Sequence, residues 1–387
     1  MKTPEIFDSI RPFEPEELPE VFERLLADPQ FRQVMAYLYP GVPIEAVGEK
    51  MKLCKTNLDF QKAFCYTFLE NLLAKAAKGC DMDTSAIDTS RRYTFVSNHR
   101  DIVLDSALLD KLLIDAGFST TCEIAIGDNL LSLPWVKDLV RVNKAFIVER
   151  SLPPRQMLLA SQRLSQYMHF AIEEKNENIW IAQREGRAKD SNDRTQPAIL
   201  KMMAMGGEGR PVERLRQLHI VPLVISYEYD PCDFLKAKEL QQRRDTDDFH
   251  KAPGDDVLSM RTGIMGYKGR IHYHCAPCID NYLDSIADTP KGELFDKVAG
   301  YIDDEIHRNY HLFPSNFIAL DILEGSTAHA SRYTDADKAF FLGYIEGQLA
   351  KVDLENPDQD FLRERILTMY ANPARNQLAL TGREEGK

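Results

Sequence analysis

Apolar and polar positions alternate with two different rhythms along this chain, and the rhythm changes near residue 90. In "PEELPEVFERLLADPQFRQVMAYLYP" and "NLDFQKAFCYTFLENLLAKAAKG", apolar residues recur at spacings of three and four, which predicts helices through residues 1–90. Gly79 is placed to close the second of these as a helix C-terminal glycine. From residue 93 the pattern becomes short β-branched or aromatic runs separated by helical stretches. "YTFVSN", "TCEIAIG", "KAFIVERS", "NIWIAQ", "HIVPLVISYEY" and "GRIHYHCAPCID" read as strands. Such alternation predicts an α/β fold: a mixed, largely parallel central sheet flanked by helices, with an N-terminal helical region. The implied organisation is a helical region over 1–90, an α/β domain over 91–325, and a helical tail over 326–387. Residues 235–260 are charge-dense and read as a solvated insertion, and "NPARNQLALTGREEGK" as a frayed end.

The 387 residues are 44% hydrophobic and 28% charged, which suits a folded domain with a sizeable core. A formal net charge of −12 disfavours nucleic acid as a partner of the whole surface. No uncharged apolar run reaches about 18 residues, so no spanning helix is expected. The acidic, proline-punctuated start is unlike a signal peptide, and seven scattered cysteines suit reduced thiols, so a cytoplasmic location is expected.

No G-x-S-x-G elbow and no P-loop is present. "HYHCAPC" offers His272, His274, Cys275 and Cys278 as metal ligands. Period-two alternation puts the two histidines on one strand face and Cys275 on the other, so a structural strand is the better reading and no metal is expected. His99 has a more specific context. It follows a predicted strand, at the end where open α/β sheets place their sites. Asp101 is a natural cap for the next helix, and Asp105 lies one turn further on. Either carboxylate could orient the imidazole as a general base, with Asp105 preferred. Other predicted strand ends carry cations: Arg150, near Lys144, and the stretch Arg184, Glu185, Gly186, Arg187 and Lys189. Residues 184–216 hold eight basic and five acidic residues, a locally positive stretch suited to a phosphate.

The blocks "SNHRDIVLD", "NKAFIVERS", "REGRAKD" and "IVPLVISYEYD" together resemble, in order, the four blocks of the glycerolipid acyltransferase superfamily, across roughly residues 90–325. That family includes glycerol-3-phosphate and lysophosphatidate acyltransferases. Two departures stand out. Five residues rather than four separate His99 from Asp105, and the third block slips by one so that Lys189 stands for an arginine. The resemblance implies acyl transfer from an acyl carrier protein or coenzyme A thioester to a hydroxyl of phosphorylated glycerol or a lysophospholipid. His99 would be the base and Arg150, Arg187 and Lys189 would hold the acceptor's phosphate, with no cofactor, metal or acyl-enzyme required. Backbone N–H groups around "EGR" or at the helix start near Asp101 would hold the oxyanion. Peripheral contact at the inner face of the plasma membrane, through apolar helix faces or the basic clusters, is the expected lipid encounter. The alternatives are another lipid acceptor, or a lipid- or phosphate-binding protein without catalysis.

Overall fold

The computed structural model describes residues 2–385 except 40, 132, 151 and 253. Seven strands form one sheet: β1 (Ala77–Asp83), β2 (Thr94–Ser97), β3 (Cys122–Gly127), β4 (Ala145–Val148), β5 (Asn178–Ala182), β6 (Ile220–Tyr227) and β7 (Gly269–Cys275), in the order β1-β7-β6-β2-β5-β3-β4. β6, β2, β5, β3 and β4 run parallel; β7 is antiparallel to β6, and β1 runs parallel to β7. β2 and β5 are buried on both faces, which is why they read as continuous apolar runs rather than alternating ones.

The pleat sends alternate residues into two cores. Val96, Ile179, Ile181, Ile220 and Val224 pack beneath helices Pro154–Glu173 and Lys291–Arg308. Phe95, Trp180, Leu223, Ile225 and Tyr273 pack on the other face with Leu104, Leu108 and Leu112 of helix Leu104–Asp115. The central strand β2 therefore delivers Asn98 and His99 at the C-terminal edge of the parallel strands, with packed layers above and below.

Three expectations are corrected. The N-terminal region is not all helix. Its last helix stops at Ala76, and Gly79 lies inside β1, whose Cys80 and Met82 pack on the second core. No β-branched residue marks this edge strand; backbone pairing with β7 makes it. The segment after residue 233 is not simply solvated either. Helix Asp233–Asp245 buries Asp233, Lys236, Glu239 and Gln241, while residues 243–249 stay on or near the surface. The expected frayed tail is part of helix Gln359–Glu385, in which Ala374 and Leu380 are buried. That helix packs with helix Pro314–Glu324 around Phe341, Ile345 and Ile366, and Asn372 donates to the Asp190 carbonyl at 2.8 Å. The helices before β1 are also joined to the rest, since the Ile147 N–H of edge strand β4 donates to the Ile10 carbonyl at 2.9 Å.

Candidate active site

Where β2 ends, Asn98 prolongs its pairing with β6 by side chain. Its Oδ1 accepts from the Ile225 N–H at 2.8 Å and its Nδ2 donates to the Ile225 carbonyl at 2.9 Å. The chain is thus held to the sheet for one residue more and releases at His99. The His99 Nδ1 lies 2.8 Å from Asp105 Oδ2. The same oxygen accepts the backbone N–H groups of Arg100 at 2.6 Å and Asp101 at 3.0 Å. Asp105 is fully buried, whereas 14% of the His99 side chain is exposed. The edge of the His99 ring meets Trp180 at 5.6 Å between centroids, and Trp180 Nε1 is anchored on Ser97 Oγ at 3.0 Å.

Of the two candidate acids, Asp105 is therefore the one at hydrogen-bond distance from the imidazole. Asp101 instead accepts from Val103 and Leu104 N–H at 2.9 and 2.8 Å, the capping arrangement that starts helix Leu104–Asp115. Burial, and then the neighbouring Asp105, push the Asp101 carboxyl above its ordinary range. Its other oxygen abuts helix Asp255–Met265 at Gly263, where a Cβ would stand 1.9 Å away. Only glycine lets that helix come so close.

The basic residues separate into three groups. The Arg187 side chain is buried beside Asp101, with Nη2 donating to Ser259 Oγ at 3.3 Å and a buried Nη1 that has no protein partner. Lys189 is ion-paired with Glu239, and burial lowers its ammonium to about 8 despite that partner. Arg184 is partly buried and its Nε has no partner. Gly186 takes the left-handed conformation at φ 69° that the turn after β5 needs. The second group is Arg150, exposed at the end of β4 and 3.5 Å from exposed Glu185. β4 lies three places from β2 in the sheet, roughly 14 Å at about 4.8 Å per strand. The third group, Lys144, is a correction. It precedes β4, at the N-terminal edge opposite His99, and its buried Nζ is committed to Glu177 at 2.7 Å and Thr120 at 2.9 Å. It does not join the other cations.

The histidines of "HYHCAPC" pair across to β1, His272 with Asp81 at 2.5 Å and His274 with Asp83 at 3.3 Å, while Cys275 is buried in the core on the opposite face.

The family model described as Acyltransferase matches residues 80–226, the stretch that runs from β1 to β6 and contains His99, Asp105, Arg150 and Arg187. Residues 80–226 are an acyltransferase domain. Among solved structures, this acyltransferase is similar to the 1-acyl-sn-glycerophosphate (LPA) acyltransferase PlsC from Thermotoga maritima. The match has 12% identity and covers 74% of this chain and 91% of that one. Its TM-score is 0.35. No curated protein matches the sequence.

Two residues of this acyltransferase that sequence reasoning missed sit directly behind the His99 turn. Asp193 takes both guanidinium nitrogens of buried Arg100, at 2.9 and 2.6 Å, and also the Tyr310 hydroxyl. Lys236, 1% exposed, donates to the Arg100 carbonyl at 3.0 Å and pairs with Asp230. Asp193 and Lys236 are 93 and 136 residues from Arg100 in sequence, and both lie in charge runs that resemble solvated surface. Only the charge density of 184–245 hinted at them. Asp193→Asn would leave the Arg100 guanidinium buried without its counter-charge, at a cost of about 3–5 kcal/mol. Chemical denaturation should show that loss, together with a fall in kcat/KM; unchanged stability and turnover would mean the Arg100–Asp193 pair holds nothing in place.

Proposed function

We propose that this acyltransferase moves a fatty acyl group from an acyl carrier protein or coenzyme A thioester to a hydroxyl of glycerol-3-phosphate or 1-acylglycerol-3-phosphate. The observation that carries the reading is the polarity of the His99–Asp105 pair. Asp105 Oδ2 already accepts two backbone N–H groups, so it meets Nδ1 as an acceptor, and the proton sits on Nδ1. Nε2 then keeps its lone pair for the substrate.

His99 Nε2 takes the acceptor's hydroxyl proton as the oxygen attacks the thioester carbonyl, and Asp105 stabilises the imidazolium that forms. The tetrahedral intermediate collapses by expelling the thiolate, which recovers the proton from Nε2. The N–H groups at the helix start are spent on Asp105 and Asp101, so the oxyanion is assigned to backbone N–H at Gly186 rather than to the helix. Arg187, whose Nη1 is unpartnered, is the first choice for the acceptor's phosphate, with Lys189 and Arg150 at the rim.

An apolar cavity of about 280 Å³ supports a fatty chain as the group transferred. It lies between the N-terminal helices and helix Leu104–Asp115, with Phe31, Met35, Phe64 and Leu69 on one side and Leu104 and Ala107 on the other. It reaches from Val103, two residues from Asp105, to Ile114, about 16 Å at 1.5 Å per residue. The N-terminal helices thus supply a wall of the acyl site.

Lys189 is already neutralised by Glu239, and this favours a second reading in which the acceptor is a lipid carrying less phosphate charge. For the lipid encounter, helix Asp255–Met265 presents Val257 and Met265, 67% and 60% exposed, directly outside Gly263 and Ser259 of the site. Its apolar face beside Lys251 suits shallow insertion into an anionic surface. No described helix is long and apolar enough to cross a membrane.

Three measurements check these assignments. Thiol release, run with both thioester donors against phosphorylated and uncharged lipid acceptors, should depend on acceptor and fall about 10²–10⁴-fold in His99→Ala; near-normal turnover in that variant rejects the base. Ala107→Phe should move donor preference toward shorter acyl chains, whereas an unshifted chain-length profile would remove the cavity from the reaction. Cosedimentation with anionic vesicles at low salt should weaken in a Val257→Asp, Leu258→Asp double variant; no binding by the parent protein, or equal binding by both, would discard this helix as the lipid contact.

A further inference from the structure

Away from the catalytic edge, one place among the described residues brings three metal-ligating side chains of different kinds together: His219, Cys278 and Asp280. The antiparallel pairing of β6 and β7 creates it, because the start of β6 lies beside the end of β7. The Ala276 and Ile279 N–H groups donate to the Pro222 and Ile220 carbonyls at 3.0 and 2.9 Å. His219, immediately before β6, is held at φ 46°, a left-handed conformation that costs energy for a residue with a side chain. In that conformation its Nδ1 lies 2.7 Å from Asp280 Oδ2. A His219 nitrogen, the Cys278 sulfur and an Asp280 oxygen all lie within 4.8 Å of one another. The other Asp280 oxygen, Oδ1, is buried and has no hydrogen-bond partner.

We propose that His219, Cys278 and Asp280 bind one zinc ion. Mixed nitrogen, sulfur and oxygen donors suit zinc, and the thiol disfavours magnesium or calcium. The fourth position falls to water. Arg91 now lies 3.3 Å from His219 Nδ1 and 3.8 Å from Asp280, and Arg216 pairs with Asp284 at 2.8 Å. The side chains of both arginines are 48% exposed, so both can swing into solvent when a cation replaces them. Zinc binds the thiolate, so binding releases the Cys278 thiol proton to solvent. His99 follows the end of β2 while His219 precedes β6, which runs parallel to it, so the ion would sit at the opposite edge of the sheet. Its role is a clip that ties the start of β6 to the segment after β7.

The test uses the full-length chain stripped of metal, then titrated with zinc or with cobalt(II) as an optical probe. Expected are one metal per chain, a thiolate-to-cobalt charge-transfer band, and a higher melting temperature with zinc. Cys278→Ser should abolish the band. His219→Asn, which keeps the left-handed turn, should weaken zinc binding about tenfold or more. Acyl transfer by metal-free Cys278→Ser should equal that of the metal-free parent. Absence of stoichiometric zinc at micromolar concentration, or a band that survives Cys278→Ser, would overturn the proposal.

Discussion

A single carboxylate oxygen organises the candidate active site of this acyltransferase. Asp105 Oδ2 accepts the His99 imidazole and two successive backbone N–H groups, so the turn after β2 and the first turn of a helix are folded around one atom. Two of the three donors are main chain, which means the carboxylate fixes the backbone as well as the ring. The arrangement is rigid only if the turn itself cannot shift, and the surrounding polar groups are placed to prevent that. Asn98 clamps the residue before His99 to β6, and Asp193 and Lys236 hold the side chain and the carbonyl of the residue after it.

This explains why charged residues are buried behind the site. Burying Arg100 alone would be prohibitive, but with Asp193, Tyr310 and Asn98 around one carboxylate every member gains a partner. The network also joins distant parts of the chain. Asp193 belongs to the loop after β5, Lys236 to a helix beyond β6, and Tyr310 lies just after helix Lys291–Arg308. Helix Asp255–Met265 then closes over the turn at Gly263 and leaves Arg187 facing the same space with an unused N–H group. The C-terminal helices support this set rather than trailing from it, as the bond from Asn372 to Asp190 indicates.

The parallel strands and the helices between them were legible because burial on both faces leaves nearly continuous apolar runs, as in "HIVPLVISYEY". His99 and Arg187 could be picked out by their places after predicted strands, and Asp105 by lying one helical turn beyond Asp101. The edge strand β1 was not, since "AKGCDMD" has neither β-branched residues nor a full apolar face, and pairing with β7 is a long-range event. Lys144 was misplaced because nearness to Arg150 in sequence was taken for nearness in space: it precedes β4, and in a parallel sheet the residue before a strand lies at the edge opposite the residue after it. Asp193, Lys236 and Glu239 were hidden for a general reason: a buried charge network has the same composition as a solvated face, and only the fold distinguishes them. The one-residue-longer His99–Asp105 spacing proved compatible with a direct contact, as the intervening turn directs the Arg100 and Asp101 N–H groups inward.

The central claim is that Asp105 acts through His99 and not beside it. A double-mutant cycle on kcat/KM, with His99→Ala, Asp105→Asn and the double variant measured by thiol release, tests this most directly. If the two side chains form one unit, the double variant is no slower than His99→Ala alone. Losses that multiply in the double variant would contradict the account, because Asp105 would then contribute without the imidazole it is held against.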